Sequence, residues 1–223
     1  MPELRIYVVG GDPVSVVICV LIGDVGAYLM GDKRQSEKLQ NGSFVPVSEN
    51  IRKIFPISQH VSIGITGNYV IGMHLLELLR TKDDLIYPRE YGEFIETWCK
   101  GDILSVTKDF QVVVTGRDKY GKYVACTVQG RNNYNIVRYI PEKKYDIKYL
   151  VLTGGDYSTK HFEVEIGSVQ YNLVKYGIQP DSGILEAMRH HIEAVAQMDN
   201  TVNTMVDSLV HKGSSRQEIW YQP

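Results

Sequence analysis

Residues 14–35 read VSVVICVLIGDVGAYLMGDKRQ, and the fold turns on how this stretch is read. Two apolar runs, residues 15–22 and 26–30, flank the turn Gly23-Asp24-Val25-Gly26. The runs are continuous rather than alternating, so both faces of each strand are expected to be buried. A hairpin buried on both faces needs a covering layer on each side. The second run ends in Gly31-Asp32-Lys33-Arg34, which delivers an acid and two bases to the end of a buried strand.

Outward from this hairpin the pattern alternates between strand groups and helix pairs. Upstream, residues 4–9 (LRIYVV) read as a short strand that Gly10-Gly11-Asp12-Pro13 stops. Downstream, the polar residues 35–49 contain Asn41-Gly42 and make a loop or short hairpin. A strand pair at 53–56 and 61–65 ends in Thr66-Gly67-Asn68. Val70, Ile71, His74, Leu75, Leu78 and Leu79 then recur at helical spacing. Pro88 opens a second helix, expected from Arg89 to about Thr107.

Residues 110–115 and 123–128 form the next hairpin around Arg117 to Gly121, and strands at 136–140 and 148–152 continue the sheet. Gly154-Gly155-Asp156 leads into helices at 157–177 and 181–197, and strands near 205–211 and 217–221 close the chain. This order predicts an α+β fold, a four-layer αββα sandwich of two mostly antiparallel sheets covered by helix pairs. With no linker or repeat, residues 1–223 read as one domain, with 1–14 either a propeptide or an extra strand.

Composition excludes several function classes. The 24 basic and 26 acidic residues sum to −2, which gives no electrostatic reason to bind nucleic acid or an anionic membrane. The fifteen tyrosines are dispersed and form no stacking motif. Cys19, Cys99 and Cys126 are odd in number with no CxxC pair, which points to reduced thiols in the cytoplasm. No apolar stretch is long enough to span a bilayer. His190 and His191 are adjacent on a helix and point in different directions, so no shared metal is expected, and His74 reads as a packed residue. No cofactor is expected either.

Taken in order, several segments resemble the proteasome-type N-terminal-nucleophile hydrolases. GAYLMGDKRQ looks like that family's second strand, ending in Asp32 and Arg34. NIRKIFPISQHVSIGITGN is similar to the segment carrying the catalytic lysine and, fourteen residues on, a glycine; these fall on Lys53 and Gly67. VVVTGRDKYGKYVACTVQ resembles the middle hairpin, LTGGDYS the glycine-rich turn before the third helix, and QMDNTVNTMVDSLV the region where the family places an acid, here Asp199. The resemblance implies amide hydrolysis of peptide or protein substrates and assembly into a ring or dimer of copies.

In this chemistry a hydroxyl on the first residue attacks an amide carbonyl, and the α-amine of the same residue takes the proton. That amine has a reference pKa of about 7.7–8.0 and is a serviceable base near neutral pH. A lysine supplies positive potential, an aspartate holds it, and a backbone N–H stabilises the oxyanion, a donor worth about 2.7–4 kcal/mol. The resemblance gives Lys53, Asp32 and Gly67 these roles.

No threonine precedes Thr66, so Ser15 is the candidate nucleophile. Ser15 lies seventeen positions before Asp32, one more than the family spacing, and an extra residue in the 23–26 turn would absorb the difference. Without that insertion the matching position is Val16, which has no nucleophile. Ser15 also needs cleavage after Val14, because its nitrogen is otherwise an amide. The alternative is a catalytically silent scaffold or assembly subunit of the same fold, with Asp32 and Lys53 a structural ion pair.

Overall fold

A computed structural model describes residues 15–38, 41, 43–104, 107–153, 157–213 and 215–221. The expected strand at residues 4–9, the 1–14 segment and the turn 154–156 lie outside the described residues.

The opening hairpin forms as its apolar runs require. Strands β1 (Val16–Ile22) and β2 (Gly26–Asp32) pair antiparallel, and every residue in both is buried. β-Branched Val and Ile fill β1 and suit a pleated surface packed on both faces. Ile22 pairs with Gly26, so Gly23, Asp24 and Val25 make the turn. A peripheral hairpin of β3 (Gln35–Lys38) and β4 (Phe44–Ser48) follows.

Next come β5 (Ile54–Pro56), β6 (Val61–Thr66), helix α1 (Tyr69–Arg80) and helix α2 (Pro88–Trp98). Asn68 caps α1 by accepting from the Ile71 amide at 3.1 Å. Pro88 opens α2, and the Glu90 carboxylate accepts from the Tyr87 amide at 2.9 Å. The second helix is shorter than its periodicity predicts. It passes at Cys99–Ile103 into a wide turn in which the Leu104 amide donates to the Cys99 carbonyl at 2.8 Å.

The remaining elements are β7 (Gln111–Arg117), β8 (Tyr123–Gln129), β9 (Ile136–Tyr139), β10 (Ile147–Thr153), α3 (Lys160–Tyr176), α4 (Asp181–Met198), β11 (Val206–Lys212) and β12 (Ser215–Tyr221). Two five-stranded sheets result, ordered β10-β1-β2-β11-β12 and β5-β6-β7-β8-β9, with antiparallel neighbours throughout. Strands β9 and β10 do not continue one sheet as the sequence suggested. β9 pairs with β8, whereas the chain crosses over so that β10 pairs with β1. Nothing local marks this switch, because both strands carry the same kind of β-forming residues.

Side-chain parity sorts the core into three regions. Val16, Ile18, Val20, Tyr28 and Met30 pack on Phe162, Ile166, Ile184, Met188 and Ile192 of α3 and α4. Val17, Cys19, Leu21, Ala27 and Leu29 face the other way, onto Ile54, Val113 and Ala125 of the second sheet. The far face of that sheet, with Ile63, Ile65, Val112 and Val114, packs on Leu75, Tyr91, Ile95 and Trp98 of α1 and α2. The two sheets are thus stacked, each with its own helix pair outside. Burying each Val, Leu or Ile contributes about 1.5–3 kcal/mol. Gly64 permits the close approach of the sheets, since a Cβ there would lie 2.5 Å from Val17 Cγ1.

All three cysteines lie within these layers. Burial pushes the thiols of Cys19 and Cys99 up to about 12 and that of Cys126 up to about 11. Native protein at pH 8 is therefore expected to leave a thiol-specific colorimetric reagent unreacted, with three equivalents released on unfolding. Fast reaction of even one thiol in the native state would contradict this packing.

Candidate functional site

The ends of β1, β2 and β5 meet at one edge of the stacked sheets. Asp32 is the last residue of β2 and is fully buried. Lys53 immediately precedes β5 and is also buried, and its Nζ donates to Asp32 Oδ1 at 2.7 Å. Two amides complete the carboxylate's shell: Val16 N donates to Oδ1 at 2.7 Å and Arg34 N donates to Oδ2 at 3.1 Å. The Asp32–Lys53 pair expected from the sequence is therefore a tight, charge-assisted contact in a dry setting.

Burial is the largest influence on Lys53 and pulls its ammonium below the usual lysine range. Asp32 opposes that shift, and the Arg34 guanidinium reinforces it. A lysine poised in this way can give positive potential to a neighbouring oxyanion or, when neutral, accept a proton.

Ser15 is buried at the entry to β1. The amide that faces Asp32 belongs to Val16, one residue further on. The backbone pairing explains this: Val17 sits opposite Gly31, so Val16 falls beside Asp32. The site thus places Ser15 next to the residue that anchors the acid, without joining its hydroxyl to Lys53.

Gly67 follows β6 with φ +88°, a left-handed conformation that favours glycine. A Cβ at this position would lie 2.3 Å from the Asp109 carbonyl oxygen. Ile65 N donates to the Lys53 carbonyl at 2.9 Å, so Gly67 is two residues beyond the residue paired with Lys53. The same backbone pairing brings Lys53 and Gly67 to one edge.

Asp199 is not bonded to the pair. As the C-cap of α4 it accepts from the Tyr157 hydroxyl at 2.5 Å and from the Thr201 amide and hydroxyl at 2.8 and 2.6 Å. Partial burial works to raise its carboxyl, but these hydrogen bonds prevail and hold it below the usual range. Its link to the site runs through the next residue: Arg34 Nη1 donates to the Asn200 carbonyl at 2.5 Å.

Sequence reading missed a second polar layer around the β2 end. Lys33 Nζ lies 3.2 Å from Asp207 Oδ1, and Asp207 is buried within β11. Asn203 accepts from the Lys33 amide at 3.0 Å and donates to Glu49 Oε2 at 2.9 Å. Arg34 Nε donates to the same Glu49 oxygen at 3.0 Å. The one available signal was Asp207 itself, an acid inside the largely apolar run 205–210.

The histidines stand apart from this edge. His191 is buried against Phe162, whereas His190 contacts Glu165 at 3.2 Å, so the two do point in different directions. His74 is half-buried against Trp98, with ring centroids 6.0 Å apart. Among the described residues no group of three His, Cys, Asp or Glu is arranged to hold a metal ion. No helix among them is long and apolar enough to cross a membrane. No protein-family model matches the chain and no curated protein matches it, so the reading of this site rests on its residues and their geometry.

Proposed function

We propose that this chain is an amide hydrolase of the proteasome β type, in which Ser15 becomes an N-terminal nucleophile. The observation that carries the reading is the buried Lys53–Asp32 contact of 2.7 Å at the strand end that Ser15 enters. A buried ion pair is often no more stabilising than apolar residues of the same volume, so one anchored on the residue that follows Ser15 favours a chemical role. The stacked sheets with helices outside both also fit that fold.

Hydrolysis of the Val14–Ser15 bond frees the α-amine. The Ser15 oxygen then attacks a substrate amide carbonyl, and its proton passes to the amine. The Gly67 N–H stabilises the oxyanion while Lys53, held by Asp32, supplies positive potential. Collapse breaks the C–N bond, the ammonium returns the proton to the leaving amine, and Ser15 is left as an ester. Water attacks the ester, giving up a proton to the amine; the bond from the acyl carbon to Ser15 Oγ then breaks, the ammonium returns the proton to that oxygen, and the acid departs. Peptide or protein amides are the substrate class, and assembly into a ring or dimer belongs to the same reading.

A second reading is a silent scaffold of this fold, favoured by the Val16 amide that occupies Asp32. It places Val16 where an active chain would carry its nucleophile. Intact mass and turnover of peptidyl aminocoumarin amides separate the two. The hydrolase is expected to lose residues 1–14, and Ser15→Ala to lower turnover at least about 10³-fold. A chain that keeps residues 1–14 and cleaves none of these amides establishes the scaffold.

A further inference from the structure

Among the described residues, two polar atoms in the layer between the sheets have no partner. Gln111 Oε1 and Thr66 Oγ1 are buried without a hydrogen bond, in residues only 5% and 3% exposed. The two residues sit directly opposite each other on β7 and β6. Strand parity turns both toward the inter-sheet space, since Val112, Ile65 and Ile63 face the helices.

Their position is specific. The other end of the Gln111 carboxamide is fixed, because Nε2 donates to the Thr153 carbonyl at 3.0 Å. Thr153 is the cross-strand partner of Val16, the residue after Ser15. Thr66 directly precedes Gly67. Gln111 thus bridges from the second sheet to the end of β10, beside the start of β1, with its acceptor oxygen held in place and unused among the described residues. An unpaired buried acceptor is retained at a cost to stability, and function is a common reason.

We propose that Gln111 is a positioning residue for the free α-amine of Ser15, accepting a hydrogen bond from it through Oε1, with the Thr66 hydroxyl beside it. The role rests on the hydrolase reading above. While the Val14–Ser15 bond is intact the nitrogen has a single hydrogen and is part of a planar amide. Cleavage gives it two or three hydrogens and frees it to turn toward an acceptor. Gln111 supplies a neutral acceptor, which orients the amine without removing its lone pair from the serine proton. A charged acceptor at the same place would hold the amine as ammonium and delay its action as a base.

The test is the pH profile of kcat on peptidyl aminocoumarin amides for wild type, Gln111→Leu and Gln111→Glu, with intact mass and thermal midpoint measured on each. Gln111→Leu is expected to be processed and folded, to turn over about ten-fold more slowly, and to move its acid limb to lower pH. Gln111→Glu is expected to move the acid limb to higher pH. Opposite shifts are not a result that packing alone produces. Should Gln111→Leu fail to fold, the direction of the Gln111→Glu shift decides the matter. Processed, active wild type with an unmoved acid limb in the variants overturns the role of Gln111 and leaves the hydrolase standing. Unprocessed, inactive wild type overturns both.

Discussion

Asp32→Ala is expected to destabilise the protein by about 3–5 kcal/mol at pH 7, as measured by denaturant unfolding. The substitution removes one carboxylate but strands three donors: the Lys53 ammonium and the amides of Val16 and Arg34. The ammonium dominates, because it is a charge left in a dry setting. Removing both ends of the pair, in Asp32→Leu with Lys53→Met, is expected to cost less than Asp32→Ala alone. A double change as damaging as the sum of the singles would mean that the pair is not coupled.

The loss should also depend on pH. Burial already holds Lys53 below its ordinary 10.5. Its folded state therefore binds fewer protons than the unfolded chain between those two values. Stability from this group is fully present above 10.5 and is lost as pH falls through the depressed folded value. Without Asp32 the depression deepens, so the defect of Asp32→Ala is expected to shrink as pH rises from 7 toward 10. A defect that is flat across that range would show that Lys53 escapes to solvent in the variant.

Gly67→Ala is expected to be nearly as damaging, at about 2–4 kcal/mol. The backbone there has φ +88°, so any Cβ is strained. The added carbon would also meet backbone, not a flexible side chain: the Asp109 oxygen at 2.3 Å, the Asp109 carbonyl carbon at 2.9 Å and the Phe110 Cα at 3.0 Å. Relief requires moving the start of β7, which carries Gln111. Unfolding by denaturant measures the cost, and a change under about 1 kcal/mol would refute the left-handed turn at Gly67. If the Gly67 amide serves the oxyanion, surviving folded Gly67→Ala should also lose turnover out of proportion to substrate affinity.

How far the sequence was legible differs between fold and site. The hairpin of β1 and β2 could be read because two continuous apolar runs have few alternatives once a Gly-Asp turn separates them. The helices showed through apolar spacing and through Asn68 and Pro88 at their starts. The end of α2 did not, because the apolar pattern runs on while the backbone widens at Cys99–Ile103. Asp32 was legible as an acid closing an apolar strand, and Lys53 through the resemblance of the segment around it. Their union depended on β5 packing across from β2, a contact between residues twenty-one positions apart. Asn203 and Glu49 meet across an even longer separation, and no local pattern announces them.

What the sequence determined by itself was local: which runs are strands or helices, which faces are apolar, and which charges have no business in a buried strand. Backbone propensity and side-chain periodicity act over a few residues, so they leave a readable trace. The tertiary structure alone decided that β10 leaves the second sheet to pair with β1, that Val16 faces Asp32, and that Gln111 reaches Thr153. These are set by the register and stacking of two sheets, where a shift of a single residue exchanges every inward and outward side chain.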